Sequence, residues 1–262
     1  MTWVLYLGIG ALGLAVGSFL NVVIHRVPRG ESVVRPGSRC PRCAHAIAAR
    51  HNVPVVSWLL LRGRCAHCRE PVSVRYPLVE AGTAALFVAV TARFGVDPAL
   101  PAYLYLAAVA VALAMIDVDV KRLPNVIVLP SYGVGVLLLL PAVLVGGDWS
   151  ALVRGLLGMT VLFALYFTLT LVHPAGMGFG DVKLAGLLGL YLGWLSWSSV
   201  WVGTLAGFLL GSVVGVALLA SGRADRKTAL PFGPAMLAGA FLAVFVAAPV
   251  THWYASLLTA GA

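Results

Sequence analysis

Apolar stretches of eighteen or more residues recur along this chain, and no other feature limits its folding so strongly. Inside hydrocarbon a backbone N–H or C=O without a partner costs several kcal/mol, so a stretch that crosses a bilayer must satisfy its own backbone as a helix. About twenty helical residues span the roughly 30 Å apolar core. Because 61% of the 262 residues are hydrophobic and only 10% are charged, the sequence reads as an all-α polytopic membrane protein.

Length and flanking charge place eight spans, at Thr2–Ile24, Tyr76–Phe94, Pro101–Val118, Val126–Val145, Ala151–Val172, Lys183–Leu195, Val200–Ala220 and Leu230–Val250. The run from Leu184 to Ala220 is nearly continuous; it is divided at Gly193-Trp194-Leu195-Ser196-Trp197, where tryptophans mark an interface. Three regions follow: a first membrane helix (1–24), a loop domain (25–75) and a membrane domain (76–262).

Lys and Arg stay on the cytoplasmic side of short loops. Ten of the eighteen lie between Arg26 and Arg75. Lys121, Arg122, Lys183, Arg223, Arg226 and Lys227 fall in loops of the same parity, and only Arg93 and Arg154 fall opposite. The expectation is a multi-pass membrane protein with both termini outside the cytoplasm and the loop domain inside it. The net charge of +9 is explained by anionic headgroups beside the basic loops and calls for no nucleic acid. The first apolar run lacks a basic n-region and a small-x-small cleavage site, so it is expected to remain as a helix. Its Gly13 and Gly17, at small-xxx-small spacing, suit close helix packing, and Asn21 suits an interhelical hydrogen bond.

All four cysteines lie in the loop domain. Cys40-Pro41-Arg42-Cys43 and Cys65-Ala66-His67-Cys68 have the spacing that presents four thiolates tetrahedrally to Zn²⁺. Two disulfides are the alternative, and a reducing cytoplasm disfavours them. A loop-rich segment with few large aliphatics gains its folding energy from such a metal. Four sulfur ligands leave no open position for water, so the metal is expected to be structural, with His45 and His67 as exposed knuckle residues.

Two acids remain in apolar surroundings, Asp117 in Met115-Ile116-Asp117-Val118-Asp119 and Asp181 in Gly178-Phe179-Gly180-Asp181. Each stands at the mouth of a hydrophobic run, where a carboxylate usually belongs to a pathway, a relay or a catalytic pair. Counting spans puts both on one membrane face. Asp119 lies about 200° around the helix from Asp117, nearer water, and suits a solvated or ion-paired role. The helix carrying both is expected to stop at Leu123-Pro124-Asn125, because proline disfavours helix at the residue before it. Gly178 and Gly180 leave bare backbone beside Asp181, able to approach an extended peptide. Asp181 can equally serve as a helix cap that offsets Lys183. If the acids meet, two close carboxylates cannot both ionise cheaply, and one keeps a proton while the other acts as base toward water.

These residues resemble one family. Gly178–Asp181 followed by Val182-Lys183-Leu184, and Ile116-Asp117 with Leu123-Pro124-Asn125 downstream, are similar to the type IV prepilin peptidases, which are intramembrane GxGD aspartic proteases. Gly17-Ser18-Phe19-Leu20-Asn21, the cysteine knuckles, Asn52–Leu59, Leu61–Cys65 and Arg75–Glu80 extend the resemblance. It implies an inner-membrane endopeptidase with Asp117 and Asp181 as its catalytic acids, removing the basic leader of prepilins and pseudopilins after a glycine. For relatives with the four-cysteine loop it also implies methylation of the new N-terminus from S-adenosylmethionine; no residue here is marked as the donor site, though Asn21, Glu80 and Gly63-Arg64 lie nearby. Three rival readings stay open. The chain could be a peptidase only; an ion-coupled transporter, which predicts inverted repeats and acids at mid-bilayer; or a zinc-stabilised secretion scaffold, which predicts indifference to loss of the aspartates. His173, Glu80 and the Arg223–Thr228 loop carry weaker expectations, as solvated residues, first-turn acid and solvated loop.

Overall fold

The computed structural model describes residues 2–40, 42–173, 177–222 and 230–260, with side chains described for those from 3 to 250. The Arg223–Thr228 loop lies outside the described residues. Nine α-helices are described: α1 (Thr2–Arg26), α2 (Val56–Leu60), α3 (Arg75–Phe94), α4 (Leu100–Val120), α5 (Asn125–Gly146), α6 (Trp149–Val172), α7 (Phe179–Leu195), α8 (Trp197–Ala220) and α9 (Gly233–Ala260). Among the described residues there are no strands, only two isolated bridges, Arg39 with Ala46 and Arg64 with Pro71. Seven helices are long and apolar enough to cross a membrane. The remaining expected span, the sixth in chain order, is α7; it has 17 residues, and its stretch from Leu184 to Gly193 is buried throughout, so protein side chains surround it where lipid would otherwise lie.

The chain divides into two compact units, Met1–Ala112 and Leu113–Ala262, with the boundary inside α4. In the first unit α1 packs along α3 at glycine-permitted distance. A Cβ on Gly17 would sit 2.7 Å from the Glu80 Cα, and one on Gly13 would sit 2.6 Å from the Ala84 Cα. Such contact is how helices associate where lipid supplies no hydrophobic drive. Asn21 donates from Nδ2 to the Tyr76 carbonyl at 3.2 Å, the interhelical bond expected of it. The buried Thr83 and Thr91 hydroxyls satisfy themselves on the carbonyls of Val79 and Phe87.

In the second unit α7 is the hub, packed by α5, α6, α8 and α9. Gly158 and Gly189 face one another across α6 and α7, where any side chain would strike backbone. Arg154, one of the two cations outside the basic-loop pattern, turns its guanidinium onto the C-terminal carbonyls of α7, donating to Gly193 at 2.8 Å and Trp194 at 2.6 Å. A cation at that end also offsets the helix dipole. Ser196 separates α7 from α8 within the stretch where the break was expected, and its hydroxyl accepts the Ser199 N–H at 3.0 Å. The end of α4 differs from expectation: it falls at Val120, before Leu123-Pro124-Asn125. Lys121 takes a left-handed conformation (φ 52°) and donates its N–H to the Asp117 carbonyl at 2.8 Å, which closes the helix before the proline acts.

Candidate active site and candidate metal centre

The last turns of α4 bury Asp117 to 5% exposure, whereas Asp119 is exposed. Asp117 accepts, on Oδ2, the N–H of Gly233 at 3.0 Å. Gly233 opens α9, so the acid faces the positive end of that helix. A Cβ at position 233 would stand 2.8 Å from the same oxygen, so any other residue there would displace the carboxylate or the start of α9. This residue went unnoticed in the sequence; the available signal was a glycine set among prolines, Pro231-Phe232-Gly233-Pro234, at the start of an apolar run.

Asp181 sits in the first turn of α7, half-buried. Its Oδ2 accepts the Gly178 N–H at 3.1 Å while its own N–H donates to the Gly178 carbonyl at 3.0 Å. The capping role is thus real, and it occupies one carboxylate oxygen. Asp117 and Asp181 are near enough for their charges to interact, and the Tyr166 phenol, itself buried, lies within electrostatic reach of Asp181. Leu123, just past the end of α4, packs against the starts of both α7 and α9. A Cβ on Gly180 would meet the Leu123 Cβ at 3.2 Å, and one on Gly233 would meet its Cδ2 at 3.3 Å. Gly178 is different, since its extended conformation (φ −80°, ψ 150°) admits any residue and a Cβ there would make only ordinary contact.

Lys183, two residues past Asp181, is gripped at both ends by α5. Its Nζ donates to Asn125 Oδ1 at 2.9 Å and lies 4.8 Å from the Phe179 ring centroid, while the Tyr132 hydroxyl donates to its backbone carbonyl at 2.5 Å. Only a glycine at 186 leaves room for that hydroxyl. The grip fixes the height and rotation of the turn that carries Asp181. His173, at the end of α6, is exposed as expected.

In the first unit, Cys40, Cys43, Cys65 and Cys68 bring their sulfurs within 4.8 Å of one another. All four are free thiols, so the disulfide alternative is not what the structure forms. Cys40 and Cys68 sulfurs are 3.8 Å apart. A tetrahedron with Zn–S bonds of about 2.3 Å has edges of roughly 3.8 Å, so the donor set and its spacing fit a tetrahedral metal ion. The backbone N–H groups of Cys43 and Arg42 hold the Cys40 thiol below its ordinary range, and those of Cys68 and His67 lower Cys65 to about 6. Cys68 goes the other way: the Glu70 N–H favours its thiolate, but desolvation and three neighbouring sulfurs push it up to about 12. A cation would relieve that crowding.

The two knuckles are copies. Arg39-Cys40-Pro41-Arg42-Cys43-Ala44-His45-Ala46 and Arg64-Cys65-Ala66-His67-Cys68-Arg69-Glu70-Pro71 are offset by 25 positions. Equivalent bonds close each turn, Cys40 N–H to His45 O at 3.0 Å and Cys65 N–H to Glu70 O at 2.8 Å, and Ala44 and Arg69 share a positive φ. The equivalent positions then pair crosswise. Arg42 meets Glu70 at 3.2 Å, and His67 stacks on His45 with centroids 4.3 Å apart. The histidines are thus exposed stacking residues, outside the sulfur cluster.

A chain of apolar helices with paired acids in one unit and a four-thiol centre in the other defines a polytopic membrane protein whose candidate chemistry rests on carboxylates. The profile of the Bacterial Peptidase A24 N-terminal domain matches residues 11–94, and that of the Type IV leader peptidase family matches residues 104–260. Prepilin leader peptidase/N-methyltransferase of Aeromonas hydrophila is 35% identical over 97% of this chain and 95% of its own. The protein of that name from Myxococcus xanthus is 44% identical over 83% of this chain and 64% of its own, and the one from Stutzerimonas stutzeri 36% over 93% and 91%. No solved structure matches. The chain belongs to the type IV leader peptidase family.

Proposed function

We propose that this protein is an aspartic endopeptidase that cleaves the basic leader from prepilins and pseudopilins after glycine, and that it then methylates the newly exposed N-terminus. One observation carries the peptidase reading: Asp117 and Asp181, alone among the described acids of the second unit in being drawn into its interior, are each oriented by a single glycine N–H at a helix start and feel one another's charge. Each keeps a second oxygen with lone pairs for chemistry. One carboxylate takes a proton from water as the water attacks the scissile carbonyl, while the other, protonated, gives its proton to the carbonyl oxygen; the first then passes the proton it took to the leaving amine as the C–N bond breaks, and the second recovers a proton from the gem-diol. The bare backbone at Gly178 and Gly180 lies where an extended peptide would be held, and both serve as backbone support for substrate. The family membership and the names of the relatives support the same reaction.

Cys40, Cys43, Cys65 and Cys68 would hold a structural Zn²⁺, which ties the two knuckles together and supplies no chemistry to cleavage. S-adenosylmethionine is the methyl donor that the second activity would use; its residues are not assigned. The 25–75 loop domain is the region we connect with methylation, the 76–262 span with proteolysis. The charge pattern supports a multi-pass inner-membrane protein with the loop domain and the acids facing the cytoplasm, and with both termini outside it if α7 crosses the bilayer. A basic leader would then stay on the cytoplasmic side while the following hydrophobic segment enters the membrane.

The test is cleavage of a purified prepilin by the reconstituted protein, read by mass spectrometry. Asp117→Asn and Asp181→Asn should each abolish leader removal at matched folding while Asp119→Asn does not, and S-adenosylmethionine should add the mass of one methylene to the product. Cleavage by both mutants would refute the aspartic mechanism and leave the acids as a cap and a helix-end ligand. Full function without either acid, but not without the cysteines, would instead favour the scaffold.

A further inference from the structure

The loop domain is expected on the cytoplasmic side, and its short helix α2 presents an apolar surface there. Val56, Leu59 and Leu60 are exposed on a helix of five residues, with Leu59 at 61% and Leu60 at 79% exposure, and Val53 and Val74 extend the apolar surface at either side. Exposed Arg50, Arg62 and Arg64 flank it in the chain.

What covers this surface follows from where α2 is tied. The N–H of Val55, immediately before α2, donates to Glu80 Oε2 at 2.7 Å. Glu80 stands five residues into α3, roughly 7–8 Å along the axis from Arg75 at 1.5 Å per residue. α3 is itself one of the helices long and apolar enough to cross a bilayer, and Glu80 is buried to 8% exposure against α1 at Gly17. The start of α2 is therefore held at a level already below the end of a membrane span. Trp58 fixes the other side, donating from Nε1 to the Val72 carbonyl at 3.0 Å, and Ser57 knits the preceding turn through the Val53 N–H and the Arg50 carbonyl. Val55 adopts φ 59°, ψ −51°, a conformation that costs a β-branched residue of order 1–3 kcal/mol and persists only where surroundings impose it.

We infer that residues Val53–Leu61 form an interfacial segment that dips into the leaflet at the N-terminal end of α3, with Leu59 and Leu60 in the upper acyl region and the flanking arginines at the headgroups. Depths of about 5–10 Å are those at which amphipathic interfacial helices lie, which matches the level of Glu80. Long arginine stems allow their charges to reach the headgroups from beside an apolar surface. The Glu80 carboxylate thereby acts as the acceptor that satisfies the Val55 N–H where water cannot. The occupant is the bilayer itself, and the cysteine centre is tethered to the membrane surface through α2 as well as through α1 and α3.

The full chain, one copy per lipid nanodisc, would carry dansylalanine in place of Leu60, and in a second preparation in place of Arg42 on the knuckle surface. The Leu60 probe should emit to the blue, be quenched by lipids brominated near the top of the acyl chain, and lose quenching by aqueous iodide, whereas the Arg42 probe should show the reverse. Leu59→Asp with Leu60→Asp, at unchanged metal content, should raise hydrogen exchange across residues 53–64 in nanodiscs. A Leu60 probe that iodide quenches as well as it does the Arg42 probe, with no response to brominated lipid, overturns the inference, as does unaltered exchange in the double variant.

Discussion

Replacing Gly233 by alanine tests whether Asp117 is held for chemistry. The added Cβ would lie 2.8 Å from Asp117 Oδ2, where an ordinary contact needs a few tenths of an ångström more, and 3.3 Å from Leu123 Cδ2. Either the carboxylate rotates or the start of α9 retreats, and both stretch the 3.0 Å bond from the Gly233 N–H. A hydrogen bond to a charged group is worth about 1.5–3 kcal/mol, and each 1.4 kcal/mol is about tenfold in rate. Displacement of a reacting group by less than an ångström costs comparable amounts. The expected result for Gly233→Ala is kcat lower by roughly 10- to 100-fold with KM nearly unchanged. Gly180→Ala, whose Cβ presses only on Leu123, should lose less than about tenfold, since a side chain can yield where a fixed acid cannot. Gly178→Ala, with permitted dihedrals and a Cβ in ordinary contact at 3.5 Å from Asp181 Oδ2, should keep its kcat, any loss falling on KM through the substrate backbone. Prepilin cleavage gives the kinetics, and methyl transfer to an already cleaved product monitors integrity of the same preparations. An order in which Gly178→Ala loses kcat most and Gly233→Ala is neutral would refute the placement of Asp117 argued from this bond.

Tyr132→Phe removes the hydroxyl on the Lys183 carbonyl while keeping the ring, so it should cost about 1 kcal/mol in thermal unfolding and lower kcat more than it raises KM. Zinc analysis should find one ion per chain, and removing it with a chelator should open residues 39–71 to hydrogen exchange while α5 to α9 stay protected. The ion should also be released as pH falls, because protons compete for all four thiolates; Cys65, lowered to about 6, is among the last to take one up. Gly17→Val would place side-chain carbons onto the Glu80 backbone, which cannot yield, and should destabilise the fold in detergent by about 1–3 kcal/mol or more, the cost of an overpacked core, seen by calorimetry as a lower unfolding temperature.

Much of the helix pattern was legible because membrane burial writes itself as length and composition. Predicted and observed spans agree to within three residues at most ends, and Ser196 breaks the long run where the tryptophans pointed. The end of α9 runs beyond Val250, since Pro249 stands inside the helix and does not end it. The four cysteines and the two acids were legible as residue types that are costly without a partner. Their partners were harder to find. Gly233 is 116 positions from Asp117 and contributes a backbone N–H, which any residue possesses; only the space it leaves reveals it. The crosswise pairs Arg42 with Glu70 and His45 with His67 depend on how one knuckle faces the other, although the 25-residue repeat was there to be aligned. The tie from Glu80 to Val55 required knowing that the loop folds back along α3.

Asp181 shows why capping and catalysis are poor alternatives for an acid at a helix start. A cap needs one carboxylate oxygen on a backbone N–H, which is the restraint a catalytic carboxylate also needs if it is not to rotate away from water. The Gly178 N–H supplies it to Asp181 and the Gly233 N–H supplies it to Asp117, so each acid is aimed by the first turn of a helix and not by another side chain. Side-chain partners with charge would compete for the proton that the reaction must move; a peptide N–H orients the carboxylate without ever taking or giving one. The expectation that separates a pure cap from an aimed acid is Asp181→Asn. Its amide oxygen can still accept the Gly178 N–H and keep the helix start, so unfolding temperature should be nearly unchanged while leader removal is lost. If stability and activity fall together in that variant, Asp181 is a cap and nothing more.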